Sequence, residues 1–278
     1  MLNLIKDEIS GIRKELIDDI SVFVIEKTQD TPLYIESFDE LNNVKIIINE
    51  GCSIYLLEKD ASKGNVEYHL KNGAVLNHNL LILNDGNKSN RKFILDEYAT
   101  WDAVCADFST TSSNFKVQCD LNERYAKGLF RLSALSKKDN VKVIDVNFTH
   151  NSPNTESKME NYGVCRDSSN LSFVGTSHIK NGSKQSIANQ ITKIMVFDRA
   201  CKASASPILR IDENDVTASH GASEGKINEE HLFYLMSRGI EEENAKRLIT
   251  LGYLNPILPM IFDEESRQSV EKVIVERV

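Results

Sequence analysis

The chain has 278 residues, 41% hydrophobic and 27% charged, an ordinary composition for a globular chain with a sizeable core. Its net charge of −8 disfavours nucleic acid or an anionic membrane surface as the main partner, since both need a clustered basic face. There is no apolar run of the ~18 residues a membrane span needs and no signal-peptide core at the start, so the expected compartment is the cytoplasm. Five cysteines, Cys52, Cys105, Cys119, Cys165 and Cys201, are scattered without a C-x-x-C pair. That pattern indicates neither a zinc ribbon nor a disulfide framework, and reduced thiols are expected.

Leu2, Ile5, Ile9, Ile12, Leu16 and Ile20 fall on one stripe at helical spacing, which predicts an N-terminal helical segment over residues 1–20, docked on the core. From there to about residue 211 the texture is one of short strands. Runs at 44–48, 54–57, 80–83, 92–95, 115–117, 129–132, 141–144, 171–174 and 193–197 are rich in Val, Ile, Leu and Phe. They are separated by polar turns at 71–73, 84–87 and 180–183. No long amphipathic helix interrupts them, which argues against a βαβ fold. A sandwich, a barrel and a β-helix all fit the pattern.

The stretch from 207 to 239 is the most informative. It opens with a strand at 208–211, crosses a polar turn at 212–215, and enters a compact small-residue segment at 218–222 that holds His220 on a tight turn. A helix is predicted from Asn228, which can cap it, with Glu229 and Glu230 in the first turn and Gly239 as the left-handed stop. Leu232, Phe233, Leu235 and Met236 give that helix an apolar face. A second helix is expected over 240–249 with i,i+4 pairs Glu242–Lys246 and Glu243–Arg247. After the breaks at Pro256 and Pro259 comes a third, from about Asp263, with the stripe Val270, Val273, Ile274 and Val278.

The same stretch resembles the C-terminal signature of the SufB/SufD family of iron–sulfur cluster assembly scaffolds. The resemblance is carried by Pro207, Leu209, Ile211, Asp215, Val216, Ser219, His220, Gly221, Ala222 and Gly225, and then by Glu230, Leu232, Phe233, Tyr234, Leu235, Ser237, Arg238, Gly239 and Ile240. Upstream it thins to His150, Thr155, Ser157, Val174, Gly175, Gln185, Asn189 and Gln190. It implies a mainly β fold, a right-handed parallel β-helix core over residues 21–226. A C-terminal helical region over 227–278 would dock a SufC-type ABC ATPase, with Leu232, Phe233, Tyr234, Arg238 and Leu248 as the contact residues. It also implies a homodimer or a heterodimer with a second SufB/SufD-like scaffold, and a transiently held iron–sulfur cluster. The protein would be an assembly scaffold and not an enzyme.

His220 leads the candidate residues, because neutral imidazole is a good iron ligand and the matching histidine of SufD proteins lies at the scaffold interface. Cys201 follows: SufB-type chains often carry a cysteine there in a C-G-A-H-T-x-P stretch, read here as CKASASP over 201–207. The histidine of that stretch is absent. Thr192 holds the place of the cysteine that SufB uses most directly, which makes the chain look SufD-like or like a minimal scaffold. In a β-helix, residues one coil apart become neighbours, so Cys201 and His220 are expected on adjacent rungs, facing the same side. Cys165 and Glu224 are weaker candidates, and His69, His78, His150, His178 and His231 have no partner at metal-ligand spacing.

Residues 221–227, GASEGKI, imitate a phosphate loop but are one residue short between the glycines and carry Ile where Ser or Thr must meet magnesium. No nucleotide is expected to bind directly. Two further readings stand beside the scaffold. One is a purely structural subunit that completes the dimer and binds the ATPase without ligating a cluster. The other, a carbohydrate-active β-helix enzyme, needs a cleft with paired carboxylates or basic catalytic residues, and is disfavoured by a single Trp, which offers no sugar-stacking surface, and by the lack of a signal-peptide core.

Overall fold

A computed structural model of the chain describes residues 1–36, 43–60, 63–84 and 88–277. The strands of the first half are β1 (Leu2–Asn3), β2 (Ile12–Ile17), β3 (Ile20–Ile25), β4 (Leu33–Ile35), β5 (Asn43–Ile48), β6 (Ser53–Lys59), β7 (Lys63–Leu70), β8 (Val75–Ile82) and β9 (Lys88–Leu95). Those of the second are β10 (Thr100–Asp107), β11 (Ser113–Leu121), β12 (Lys127–Ser136), β13 (Val141–His150), β14 (Glu156–Cys165), β15 (Asn170–Ile179), β16 (Ile187–Val196), β17 (Lys202–Ile211) and β18 (Thr217–Lys226). From β3 onward, successive strands go alternately to two nine-stranded sheets, ordered β1-β4-β6-β8-β10-β12-β14-β16-β18 and β17-β15-β13-β11-β9-β7-β5-β3-β2. Every pairing except β2–β3 is parallel. The chain therefore winds as a parallel β-helix, two strands to a coil, and the predicted mainly β fold with a parallel β-helix core and a C-terminal helical region is the observed one.

Alternation along each strand explains why this sequence winds. In β13 and β15 every second residue is buried, so one face of each sheet turns inward and the other meets solvent. Parallel pairing in register stacks like position on like position. One interior column of the first sheet runs Leu56, His78, Ala103, Phe130, Met159, Gln190, His220. Its counterpart across the core runs Ile46, Tyr68, Phe93, Cys119, Phe148, Ser177, Leu209. Aromatic rings fill the middle coils: Tyr68 stacks on Phe93 at 4.8 Å and Phe93 on Trp101 at 3.8 Å between centroids.

The two ends of the solenoid differ. At the N-terminal end Leu4 and Ile9 are buried, and Ile5 and Ile12 pack against the core. The predicted helix over residues 1–20 does not form. Its residues make β1 and the antiparallel β2–β3 hairpin, whose two-residue turn, Asp18–Asp19, has positive φ at both positions (48° and 62°). That is the turn geometry a tight hairpin needs. Gly11, at φ +78°, would also break a helix there. Leu16, 72% exposed, shows that the apolar stripe has no continuous buried face. Covering the first coil outweighs the helical spacing.

At the C-terminal end none of the described residues adds a coil over the last one. β17 and β18 close the order of their sheets, and β18, at 217–226, is a strand where a tight turn at 218–222 was expected. Pro207 lies in the edge strand β17, where a missing N–H does least harm.

Of the predicted turns, Gly73 and Gly182 take the left-handed φ of 66° and 91°, while positions 85–87 lie outside the described residues. The helices follow the sequence: α1 (Glu229–Ser237), α2 (Glu242–Leu254), a 3-10 turn (Asn255–Met260) and α3 (Glu264–Arg277). Asn228 caps α1, its Oδ1 accepting from the N–H groups of Glu230 and His231 at 2.9 and 3.1 Å. Gly239, at φ +86°, donates to the Met236 carbonyl while Ile240 donates to that of Leu235, a Schellman stop.

Glu242 pairs with Lys246 as predicted, at 2.7 Å. Glu243, expected to pair with Arg247, instead meets Lys246 at 3.0 Å and Arg166 of the solenoid at 3.6 Å. Leu254, Ile257, Leu258, Ile261, Val270 and Ile274 pack on the outer face of the first sheet, against Leu57, Leu81, Val104 and Leu135. Val278, the last position of the predicted stripe, lies outside the described residues.

Candidate functional site

The uncovered coil is built from the residues that sequence reasoning singled out. In-register pairing places His220 over Gln190, Ala222 over Thr192 and Glu224 over Ile194. Gln190, Thr192 and Ile194 are buried, so His220, Ala222 and Glu224 lie on inward-facing positions. On the other sheet Ala203, Ala205, Pro207 and Leu209 stand over Leu171, Phe173, Gly175 and Ser177. In any earlier coil these positions would be covered. Here His220, Ala222 and Glu224 are solvent-exposed, because β18 is the last described strand of its sheet. The His220 side chain has no hydrogen-bond partner among the described residues. Glu224 bridges the two sheets, its carboxylate accepting from the Ala205 N–H of β17.

The floor beneath His220 and Ala222 is polar, whereas beneath Glu224, Ala203 and Ala205 it is apolar. The Gln190 side-chain amide donates to Ser177 Oγ at 2.7 Å and to the Ile208 carbonyl at 3.2 Å. Asn161 donates to Thr192 Oγ1 at 3.2 Å. His150 is buried, with Nδ1 2.8 Å from Thr155 Oγ1 and Nε2 2.8 Å from Ser157 Oγ. Burial, with the nearby His178 second, pushes its pKa down to about 4, so His150 is a neutral, saturated interior group.

Cys201 and His220 do not come together. The expectation of adjacent rungs fails because they belong to one coil and to different sheets. Strands on the two sheets run in opposite senses, so the Ala205–Glu224 contact fixes the offset. Cys201 lies four residues from it in one direction and His220 four in the other, which amounts to about 26 Å at ~3.3 Å per residue. Within one chain the two cannot ligate one ion. Cys201 is instead beside Cys165, its Sγ donating to the Asp167 carbonyl at 3.5 Å. Cys52, Cys105, Cys119 and Cys165 are buried, and only Cys201 is partly exposed. Burial pushes the Cys105 and Cys119 thiols well above their ordinary range. Among the described residues no group of three or more His, Cys, Asp or Glu side chains is set to hold a metal ion.

His69, His78 and His178 are engaged elsewhere, and His231 is exposed on α1. His69 Nε2 meets Asp96 at 2.9 Å and His178 Nε2 meets Asp212 at 2.6 Å. His78 lies 3.0 Å from Glu58 in a buried network that the sequence did not reveal. There Glu58 accepts from Arg91 Nε and Nη2 at 2.9 and 2.7 Å and from the Tyr68 hydroxyl. Burial alone would raise the Glu58 carboxyl, but Arg91 and His78 outweigh it and hold its pKa at about 2.

The helical face predicted to dock a partner is open. None of the α1 residues is buried. Phe233, Tyr234 and Leu248 are 72%, 56% and 49% exposed, and the Arg238 guanidinium lies 5.3 Å from the centre of the Tyr234 ring. Leu232, Phe233 and Met236 line a shallow concavity of about 540 Å³ rimmed by Glu229, Glu230 and Glu242. No helix of the described residues is long and apolar enough to cross a membrane.

Comparison with known proteins agrees with this architecture. Residues 37–253 match the family model of the SUF system FeS cluster assembly, SufBD core domain. The chain is 38% identical over 117 residues to the iron–sulfur cluster assembly protein SufD of Bacillus subtilis, covering 42% of this chain and 27% of that protein. It is 23% identical over 251 residues to SufB of the same organism, covering 85% of this chain and 54% of SufB. A SufBD family protein of Staphylococcus saprophyticus is 28% identical over 156 residues, 55% of this chain and 34% of that one. The chain thus spans about a quarter of that SufD and about half of that SufB. A match over most of its length, on a parallel β-helix ending in the His220 coil, means that the chain belongs to the SufB/SufD family of the SUF iron–sulfur cluster assembly system.

Proposed function

We propose that the chain is a scaffold subunit on which an iron–sulfur cluster is assembled, at a scaffold–scaffold interface formed on the open coil around His220. The observation that carries this reading is the exposure of inward-facing positions. A coil whose backbone edges are unpaired and whose interior residues meet solvent is a template for another β-coil. Such edges are used in β-strand addition between chains. A second scaffold pairing there would enclose His220 between two solenoids. In a homodimer a twofold axis would bring two His220 side chains to one interface, while a heterodimer would set His220 against different ligands. The cluster is cargo, and the ligands beyond His220 come from the partner scaffold, because Cys201 of the same chain is out of reach.

The α1–α2 face, with Leu232, Phe233, Tyr234, Arg238 and Leu248, docks a SufC-type ABC ATPase. Phe233 and Leu248 are large, exposed apolar side chains, and fully burying each is worth ~2 kcal/mol. Nucleotide-driven movement of the ATPase would pull on these helices and reshape the open coil.

The test is anaerobic cluster reconstitution of the chain co-purified with its ATPase, scored by iron and sulfide content. His220→Ala should lose the cluster while the complex stays intact, and Phe233→Asp should lose the ATPase with unchanged thermal unfolding. Full loading of His220→Ala would refute the ligand role and leave a structural subunit that completes the dimer. Cluster formation only after a second scaffold is added would exclude the homodimer.

A further inference from the structure

The corner between β14 and β15 holds a pair of nucleophilic groups that the assembly reading does not use. Cys165 closes β14 and Cys201 precedes β17, and winding of the chain brings them together. The Lys202 N–H donates to the Ser169 carbonyl at 3.0 Å, which seats Cys201 over Ser169. The Cys165 Sγ donates to that same carbonyl at 3.2 Å and lies 3.2 Å from Ser169 Oγ and 3.8 Å from the Lys202 carbonyl. The Cys201 Sγ donates to the carbonyl of Asp167, in the same corner. The two thiols thus share one small corner, Cys165 held between Ser169 and the Lys202 carbonyl and Cys201 packed against the same cluster.

We infer that Cys165 and Cys201 form an oxidisable dithiol that closes to an intramolecular disulfide, a modification site at the start of the terminal strand β17. The oxidant it takes is a hydroperoxide. Division of labour follows from exposure. Cys201 is the one cysteine with access to solvent, whereas burial and the neighbouring Cys201 push the Cys165 thiol well above its ordinary range. Cys165 therefore stays protonated and does not meet the oxidant. The Cys201 thiolate attacks hydrogen peroxide, the O–O bond breaks, and Cys201 becomes a sulfenic acid with release of hydroxide. The Cys165 sulfur then attacks the Cys201 sulfur, the S–O bond breaks, and the hydroxyl leaves as water with the Cys165 proton. Overall, two thiols and one hydrogen peroxide give one disulfide and two waters, with two electrons passing from sulfur to oxygen.

The new bond would tie the start of β17 to the preceding coil and so hold one strand of the uncovered edge in place. This inference does not rest on cluster assembly, since the dithiol lies at the far end of the coil from His220 and is tested without iron or ATPase.

The full chain, reduced and then treated with near-stoichiometric hydrogen peroxide, is examined by thiol counting and by peptide mapping without reductant. Its five free thiols should fall by two, the mass should drop by about 2 Da, and one peptide pair should link Cys165 to Cys201. In Cys165→Ser the link should vanish, and Cys201 should be trapped by dimedone as the sulfenic acid. The inference is overturned if wild type accumulates dimedone-reactive Cys201 with no link to Cys165. A Cys201–Cys201 link between two chains would overturn it as well. Both of these results are read on the unmutated protein, so misfolding of a variant cannot obscure them.

Discussion

His150 makes the solenoid acid-sensitive by an amount that can be worked out. It is fully buried two coils below the open end, with both ring nitrogens engaged by hydroxyls. Burial holds its folded pKa at about 4, against 6.5 for the unperturbed side chain. A histidine depressed in this way stabilises the fold while both states are neutral, above the unfolded value. The unfolded chain begins to bind a proton as pH falls below about 6.5, the folded chain does not until about 4, and stability is lost across that window. Between pH 7.5 and pH 5 the loss comes to about 2 kcal/mol, taking 1.36 kcal/mol per unit. Glu58 contributes little between those two pH values, because both its unfolded value of 4.5 and its folded value of about 2 lie below pH 5. The assay is urea unfolding of wild type and His150→Gln at pH 7.5 and 5. Gln keeps a donor and an acceptor for Thr155 and Ser157 but does not titrate, so the variant should lose about 2 kcal/mol less than wild type on acidification. Parallel losses in the two proteins would refute the argument.

Other outcomes follow from the core. Glu58→Gln leaves the buried Arg91 guanidinium without its carboxylate and should cost about 3–5 kcal/mol in chemical unfolding; a cost under ~1 kcal/mol would show that water or rearrangement satisfies Arg91. Gly128→Ala places a Cβ 2.4 Å from the Phe148 ring and 3.2 Å from Cys119 Sγ. It should destabilise by about 1–3 kcal/mol, measured as a lower urea midpoint, with the secondary structure seen by circular dichroism retained.

Local signals in the sequence determined the C-terminal helices. Asn228 as a cap, Glu229 and Glu230 in the first turn, and Gly239 as a stop each act within a few residues, and all hold in the structure. Apolar alternation likewise marked the middle strands, and the dense motif from Pro207 to Ile240 pointed to the family. What the sequence did not contain was the stacking of coils. Ser53 pairs with Val75, 22 residues on, whereas Asn170 pairs with Lys202, 32 residues on. With no fixed period, the neighbour of a given residue one coil away is set by hydrogen-bond register between distant segments. For that reason Cys201 was expected near His220 and is found beside Cys165. The polar, small-residue run around His220 looks like a turn in isolation and becomes a strand because β16 supplies ten partners in register. Residues 1–20 have helical spacing, yet the first coil needs a cover, and a hairpin supplies it. Tertiary structure alone decided that one end of the solenoid is closed and that the other leaves His220 exposed, because only the order of strands in a sheet defines which strand is last.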